Sequence, residues 1–238
     1  MGAIYKKEMR AYFTTPIGYI FIASFFLISG AVFAFTTLQQ ASGDTSTYFY
    51  VMVFMLVILV PILTMKTFSE ERRTRTEQML LTSPVSLTEM VLAKYLASMT
   101  MVVVCLGVTS IYYIPISMYL GDYTNDLTAL YFGQLIALFL IASAFVAVGI
   151  LISSMTENQM VACVATIVVI LLFLVIGLAN SYIDSYAFRS VLSWFSVFTR
   201  FGNFVNGVFD FGAVVYYISL SVVMIFLTVR VYEKRRWG

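Results

Sequence analysis

The sequence predicts an all-α membrane protein with six transmembrane helices, and three observations support this fold class. Hydrophobic residues make up 61% of the 238 residues and charged residues only 11%. Soluble domains carry about 25% charged residues, so lipid is the expected surrounding of most of this chain. Six apolar stretches are long enough to cross a hydrocarbon layer of about 30 Å. Lysine and arginine also lie almost entirely on one side of the predicted membrane.

The predicted spans cover residues 17–38, 49–65, 95–120, 127–152, 160–179 and 211–229. None of these stretches contains Asp, Glu, Lys or Arg. They are expected to be helical, because backbone polar groups in lipid must be hydrogen-bonded within the segment. The chain carries no internal repeat or long linker. We therefore expect residues 1–238 to form a single membrane domain.

The distribution of basic residues predicts the orientation of the spans. With the N-terminus in the cytoplasm, twelve basic residues face inward: Lys6, Lys7, Arg10, Lys66, Arg72, Arg73, Arg75, Lys94, Arg230, Lys234, Arg235 and Arg236. Only Arg189 and Arg200 then face outward. The positive-inside rule therefore predicts a multi-pass protein with both termini in the cytoplasm.

Residues 1–16, which precede the first span, predict an amphipathic interfacial helix at the inner membrane surface. Apolar and basic side chains occupy opposite faces at helical spacing. The apolar residues are Tyr5, Met9, Tyr12 and Phe13, and the basic residues are Lys6, Lys7 and Arg10. The alternative is a positively charged flank that only sets the topology.

Residues 66–94 form the largest predicted cytoplasmic segment. Acidic residues at 70 and 71 precede basic residues at 72, 73 and 75, an order that suits the dipole of a short helix. Thr74 and Ser86 are each followed by a glutamate three positions later, the spacing of a capping box. A solvated charged loop is the alternative. Apolar residues at 68, 79–81 and 85 favour a docking surface instead.

Residues 180–210 predict an outer helical segment that re-enters the membrane. The segment is rich in aromatic residues but is interrupted by Asp184, Arg189 and Arg200, which argue against a simple span. One or two short helices that dip into the outer leaflet fit this pattern. The alternative is a seventh and an eighth span, which would leave both termini on the same side.

Several kinds of chemistry are excluded by the composition. The absence of histidine excludes HExxH metal sites, Ser-His-Asp and Cys-His catalysis, and histidine proton relays. No GxxxxGK[ST] loop is present to hold ATP. The two cysteines, Cys105 and Cys163, lie in apolar runs and are interpreted as small buried hydrophobes. Spans without ionisable groups disfavour an ion-coupled carrier, so we expect the energy for transport to come from outside the membrane.

Five segments share a pattern with one family of membrane proteins. In chain order they are Lys7-Glu8 with Tyr12-Phe13 and Pro16-Ile-Gly-Tyr19; residues 59–66 with Ser69-Glu-Glu-Arg-Arg73, Thr76 and 80–86; residues 149–154 with Glu157-Asn-Gln159; Thr199-Arg-Phe201 with Phe204, Gly207 and Asp210; and Arg236-Trp237. The chain thus resembles the ABC-2 type permeases of ABC transporters. The similar branch includes gliding-motility-associated and nitrous-oxide-reductase-maturation permeases. One departure is Arg75, where the family usually has glycine, so a stiffer helix is expected there.

The resemblance implies a permease that pairs with a second copy of itself and with two copies of a separate ABC ATP-binding subunit. ATP and Mg are expected on that subunit. This chain itself is not expected to be an enzyme or to bind a cofactor or metal. The implied ATPase-coupling residues are Phe68, Glu70, Glu71, Arg72, Arg73, Arg75, Thr76 and Gln78. The implied outer gate consists of Trp194, Phe195, Phe198, Phe201 and Phe204.

The function expected from the resemblance is export across a prokaryotic plasma membrane. Uncharged spans suit an amphiphilic, lipid-linked, peptide or drug-like cargo. Membrane lipid is an expected partner and nucleic acid is not. The alternative is a non-transporting membrane anchor or assembly factor that recruits a cytosolic partner through the segment 66–94.

Overall fold

A computed structural model of the protein describes residues 1–38, 44–77, 86–120, 124–179 and 196–237. Within these residues the chain is helical throughout, apart from short connections, and contains no strand. The helices are α1 (Gly2–Thr14), α2 (Pro16–Phe33), α3 (Ser46–Thr64), α4 (Lys66–Arg73), α5 (Leu87–Thr109), α6 (Tyr113–Leu120), α7 (Thr124–Met155), α8 (Gln159–Ala179), α9 (Val197–Val205) and α10 (Phe211–Trp237). The all-α fold class is confirmed.

Six helices in this part of the chain are long and apolar enough to cross a membrane. They run over Pro16–Thr37, Ser46–Arg73, Leu87–Ile116, Thr128–Met155, Gln159–Gly177 and Phe211–Arg236. The number of spans is therefore as predicted. The second span continues past its predicted end at residue 65 to Arg73, and the third begins at Leu87, before its predicted start at residue 95. Some charged residues at these ends are buried in the protein. The helices can therefore continue beyond the apolar part of each span.

The central helix of the bundle is α7, which packs against α3, α4, α5, α8, α9 and α10. Its alanines and Gly149 make this close packing possible, because small side chains let helices approach closely in lipid. Ala137, Ala142 and Ala144 are fully buried. A Cβ atom on Gly149 would lie only 2.2 Å from Oγ1 of Thr64 on α3, so only glycine fits there. By contrast, α2, α8 and α10 leave most of their apolar surface uncovered.

The helices α3 and α4 form one nearly continuous rod. Met65 between them keeps helical dihedral angles (φ −56°, ψ −32°), and its N–H donates to the Pro61 carbonyl at 2.8 Å. The rod ends at Thr74, whose hydroxyl donates to the Glu70 carbonyl at 2.9 Å. The capping box predicted at Thr74 stays a prediction, because the segment that it would begin continues into residues 78–85, outside the described residues. The box at Ser86 is confirmed by its bond from the Glu89 N–H (3.3 Å).

Candidate functional site

The end of the bundle that carries both termini also contains a buried ion cluster centred on Lys94. This side chain is only 1% exposed. Its Nζ lies 2.8 Å from Oε1 of Glu8 and 3.0 Å from Oε2 of Glu71, and it donates to the Thr67 carbonyl at 2.7 Å. The ammonium group is also 4.8 Å from the centre of the Phe68 ring. A buried ammonium needs such complete pairing, because an unpartnered charge in a low-dielectric interior is strongly destabilising.

These five residues, Glu8, Thr67, Phe68, Glu71 and Lys94, are called the Lys94 cluster below. Glu71 also contacts the Nζ of Lys7 at 2.9 Å. Two carboxylates thus face two ammonium groups, and the charges balance. Lys7 is 58% exposed, so water screens its share, whereas Lys94 acts inside the protein. The cluster joins α1, α4 and α5.

The position of α4 is fixed by a side chain from the central helix. Oγ of Ser153 on α7 accepts the backbone N–H groups of Phe68 (3.1 Å) and Ser69 (3.2 Å), and donates to the Met65 carbonyl (3.1 Å). α4 begins at Lys66, and the backbone N–H groups in the first turn of a helix have no partner within that helix. Ser153 supplies that partner from outside. The ring of Phe68 completes the contact by packing on Tyr232 of α10, at 4.8 Å between ring centres.

Arg72 extends the same arrangement to the next connection. Its guanidinium donates to the Met155 carbonyl and to Glu157, each at 2.8 Å. It also lies 3.7 Å from Glu77, which is 3.3 Å from Arg235 of α10. The end of α4 is therefore bonded to both the α7–α8 connection and the last helix.

The predicted coupling residues divide into an inner and an outer group. Phe68 and Glu71 are buried and belong to the Lys94 cluster, and Arg72 is half-buried. The remaining described members, Glu70, Arg73, Arg75 and Thr76, present half-exposed or exposed side chains. Gln78 lies outside the described residues. Sequence reasoning missed Ser153, Glu8 and Tyr232, because nothing in the local pattern shows that these distant residues meet α4.

Arg75 occupies an unusual backbone position. Its φ is +58°, in the left-handed region, and it follows directly after the C-cap residue Thr74. Helices often end with a left-handed residue at this position, and glycine is the usual choice. The expected stiffer helix around Arg75 is therefore not found, because α4 ends two residues earlier, at Arg73.

The predicted interfacial helix exists as α1, and most of its apolar face packs on the protein. Hydroxyl groups of Tyr5 and Tyr12 bond Thr100 (2.9 Å) and Ser98 (2.8 Å) of α5. Burial raises the pKa of Tyr12 to about 12. Among the other named residues, Met9 is half-buried, and Phe13, Lys6, Lys7 and Arg10 are exposed. Placement in the headgroup layer remains a prediction.

The predicted outer gate falls partly on α9, at the end of the bundle away from the termini. Phe198 and Phe201 pack on Tyr50 of α3, with ring centres 5.4 and 5.7 Å apart, and Phe204 is buried. Trp194 and Phe195 lie outside the described residues. α9 is a short helix within the predicted outer segment, and re-entry of residues 180–210 into the membrane stays a prediction.

Both ends of α9 are hydrogen-bonded to spanning helices. The Tyr217 hydroxyl on α10 donates to the Val197 carbonyl at 2.7 Å. The buried Gln134 on α7 donates from Nε2 to the Val205 carbonyl at 3.0 Å and accepts from the Thr45 hydroxyl at 2.5 Å. The predicted gate residues on α9 therefore sit on a helix whose position depends on α3, α7 and α10.

The comparisons with known proteins agree with this geometry. The family model of ABC-2 family transporter proteins matches residues 31–232. No curated protein and no solved structure shows significant similarity to the chain. The family implies a membrane transport component that is not itself catalytic and that works with an ABC ATPase subunit. With six spanning helices and a family match over most of its length, the chain belongs to the ABC-2 family of transporter proteins.

Proposed function

We propose that this chain is the permease subunit of an ATP-driven exporter in a prokaryotic plasma membrane, with both termini in the cytoplasm. Two copies of the chain pair with two copies of a separate ABC ATP-binding subunit. That subunit binds and hydrolyses ATP with Mg²⁺ and docks at the end of α4. Movement of the docked segment then opens a path for cargo between the spans.

The observation that carries this proposal is the way α4 is held. Its inner face is ion-paired and hydrogen-bonded to α1, α5 and α7 through the Lys94 cluster and Ser153, and it packs on Tyr232 of α10. Its other face presents exposed charges, including Arg73. A helix that is bonded to the bundle on one side and exposed on the other can pass a displacement to the bundle. A loosely attached loop would instead move without displacing the spans.

This arrangement assigns different roles to the predicted coupling residues. Glu70, Arg73, Arg75 and Thr76 are proposed to contact the ATPase directly, because their side chains reach solvent. Gln78 is proposed to extend this surface. Phe68, Glu71 and Arg72 are proposed to anchor α4 and to pass its motion to neighbouring helices.

The proposed path to the outer gate runs along the rod of α3 and α4. The 28 residues of this rod span about 42 Å at 1.5 Å per residue. Its far end carries Tyr50, which touches Phe198 and Phe201 on α9. A tilt of the rod at the docking end therefore moves the surface on which these gate residues rest. Trp194 and Phe195 are proposed to continue the gate.

The proposed cargo is amphiphilic, lipid-linked, peptidic or drug-like. The described portions of the spans contain no ionised side chain between their charged ends, so they offer no partner for a strongly charged solute. Export is proposed from the family resemblance of the sequence.

The proposal is tested with the full chain and the cognate ATP-binding subunit in liposomes. We expect the permease to bind the ATPase and to change its rate of ATP hydrolysis, with liposomes lacking the permease as the control. Binding without any change in hydrolysis would instead support a membrane anchor. Hydrolysis unaffected by the permease, together with no co-purification, would contradict both readings.

A further inference from the structure

Arg200 on α9 is a cation that forms no ion pair with any residue that the structure describes. Its guanidinium carbon lies 4.4 Å from the centre of the Tyr216 ring on α10. Its Nε is buried and has no hydrogen-bond partner, and within the described ranges of the chain no carboxylate lies within 4 Å of it. Asp210 is the nearby acidic residue, and it accepts bonds from Asn203 (2.9 Å) and the Ala213 N–H (3.2 Å). The bond from Asn203 and, to a smaller extent, the charge of Arg200 lower the pKa of its carboxyl, but the two charged groups are not in ion-pair contact.

The guanidinium of Arg200 lies against a span. Tyr216 is five residues into the candidate span that begins at Phe211, a rise of about 7.5 Å along the helix. Arginine at such a depth is stabilised when it finds an anion, since an uncompensated charge near hydrocarbon is unfavourable. Arginine also bonds phosphate oxygens with two parallel N–H groups, which makes phosphate the anion it suits best.

An apolar groove of about 450 Å³ lies one helical turn along α9 from Arg200. Residues of α7, of the end of α9 and of the α9–α10 connection line it: Ala129, Leu130, Gly133, Phe204, Gly207, Val208 and Phe209. Phe204 is at i+4 from Arg200, so the two side chains are neighbours on the helix surface. Gly207 has φ +79°, and a Cβ there would meet Leu130 at 3.0 Å, so the groove wall depends on this glycine.

The surroundings of the groove favour a lipid over a soluble anion. Phe209 and Phe211 at its edge are 64% and 71% exposed, and both flank the start of a span. Large apolar side chains that are exposed at the start of a span are expected to face acyl chains. A soluble phosphate would satisfy the arginine but would leave the groove empty.

We propose that Arg200 and this groove bind one anionic phospholipid of the leaflet opposite the termini. The guanidinium takes the phosphate group, and one acyl chain lies in the groove between α7 and the α9–α10 connection. The bound lipid neutralises the arginine beside the gate helix. This inference does not rest on the proposed function, because it needs neither an ATPase nor a cargo.

The test uses the full chain in phosphatidylcholine nanodiscs that contain phosphatidylglycerol with a photoactivatable acyl chain. Crosslinks are mapped by mass spectrometry, and we expect them on residues 129–133 and 204–209. Arg200→Gln should reduce these crosslinks roughly ten-fold, the effect of losing one charge-assisted hydrogen bond. Arg230→Gln is the matched control, since Arg230 also stacks on a ring, that of Phe226, but is paired with Glu233. It should leave the groove crosslinks unchanged.

A second variant tests the groove without touching the charge. A Cβ atom on Gly133 meets nothing within 4 Å, so Gly133→Leu should fold and fill the groove. Gly107→Leu is its control, because the space at Gly107 on α5 is equally open. We expect Gly133→Leu to abolish the groove crosslinks and Gly107→Leu to preserve them. Equal crosslinking of Arg200→Gln and the unmodified chain would overturn the proposal, and so would equal labelling by a phosphatidylcholine probe.

Discussion

At the scale of single residues, Lys94 combines more interactions than any neighbour described at the end of the bundle that carries the termini. It satisfies two carboxylates, a backbone carbonyl and an aromatic ring. One partner comes from α1 and the other three from α4. The side chain therefore acts as a positioning residue for α4. Its removal should also weaken the packing of α1 and α5 against α4.

Replacing Lys94 with methionine is expected to lower the free energy of unfolding by about 3 kcal/mol, because two carboxylates lose a buried partner. The measurement is unfolding in detergent, followed by circular dichroism. Lys66→Met is the matched control, since Lys66 is 4.0 Å from the half-exposed Glu70. Its loss should change the free energy by less than about 0.5 kcal/mol.

A double variant separates loss of charge pairing from loss of packing. Adding Glu8→Gln to Lys94→Met should recover part of the lost stability, because one of the orphaned carboxylates becomes neutral. If the two substitutions were simply additive, the pairing between Glu8 and Lys94 would not explain the effect.

Arg75 leads to a prediction of the opposite sign. Changing it to glycine should raise the free energy of unfolding by roughly 0.5–1 kcal/mol, since glycine adopts φ of +58° without steric conflict. The same unfolding assay on the isolated chain measures this. Thr76→Gly is the control, because Thr76 has no such dihedral angle and should only lose stability. A less stable Arg75→Gly variant would show that the arginine side chain matters more than the backbone.

These residue-scale contacts mark the limit of what the sequence predicts. Composition identified the six spans, since lipid exposure demands long apolar runs whatever their neighbours are. It could not pair Lys94 with Glu8, which is 86 residues away in the chain. An ion pair between distant helices leaves no periodic pattern. The same holds for Ser153, whose hydroxyl looks like any small polar group in a span.

At the scale of helices, α1 and α9 show how short elements are positioned by long ones. The periodicity of α1 correctly predicted a helix with one apolar face. It did not show that the face contacts α5, because the matching hydroxyl groups of Ser98 and Thr100 lie inside an apolar run. For α9, the aromatic residues predicted a helical segment, but the bonds from Gln134 and Tyr217 come from spans with no local signal.

The hydrogen bond from Tyr217 is expected to hold the start of α9. Tyr217→Phe removes only the hydroxyl that donates to the Val197 carbonyl, which should weaken this contact by about 1 kcal/mol. Hydrogen–deuterium exchange at 197–205 should then become several-fold faster. Tyr19→Phe is a suitable control, because Tyr19 is exposed on α2. Unchanged exchange in Tyr217→Phe would mean that the remaining contacts, the Gln134 bond and the packing of Phe201, are enough to position the helix.

At the scale of the whole molecule, the described part of the bundle has a buried centre and a more exposed periphery. The rod of α3 and α4 and the central α7 are mostly buried, whereas α2, α8 and α10 show most of their surface. The exposed helices are the ones available to lipid or to a second copy of the chain. The buried ones connect the proposed docking face to the gate helix.

Reversing the exposed charges should separate docking from folding. Arg73→Glu with Arg75→Glu is expected to weaken co-purification of the ATP-binding subunit at least ten-fold, because exposed charges govern partner choice. Lys6→Glu with Arg10→Glu changes the net charge equally on the exposed face of α1 and should leave co-purification intact. Glu71 is unsuitable for this test, since it is buried in the Lys94 cluster. Equal binding by both double variants would place the docking surface elsewhere.

The bonds from Ser153 to the start of α4 bear on how chimeric transporters can be built. A cytoplasmic segment transplanted from a related protein brings its own backbone donors but not the hydroxyl that receives them. Grafts limited to residues 66–77 should therefore express poorly unless position 153 of the recipient carries serine or threonine. Donor segments are best moved together with the stretch of α7 from Gly149 to Ser153, because the two have to match as a unit.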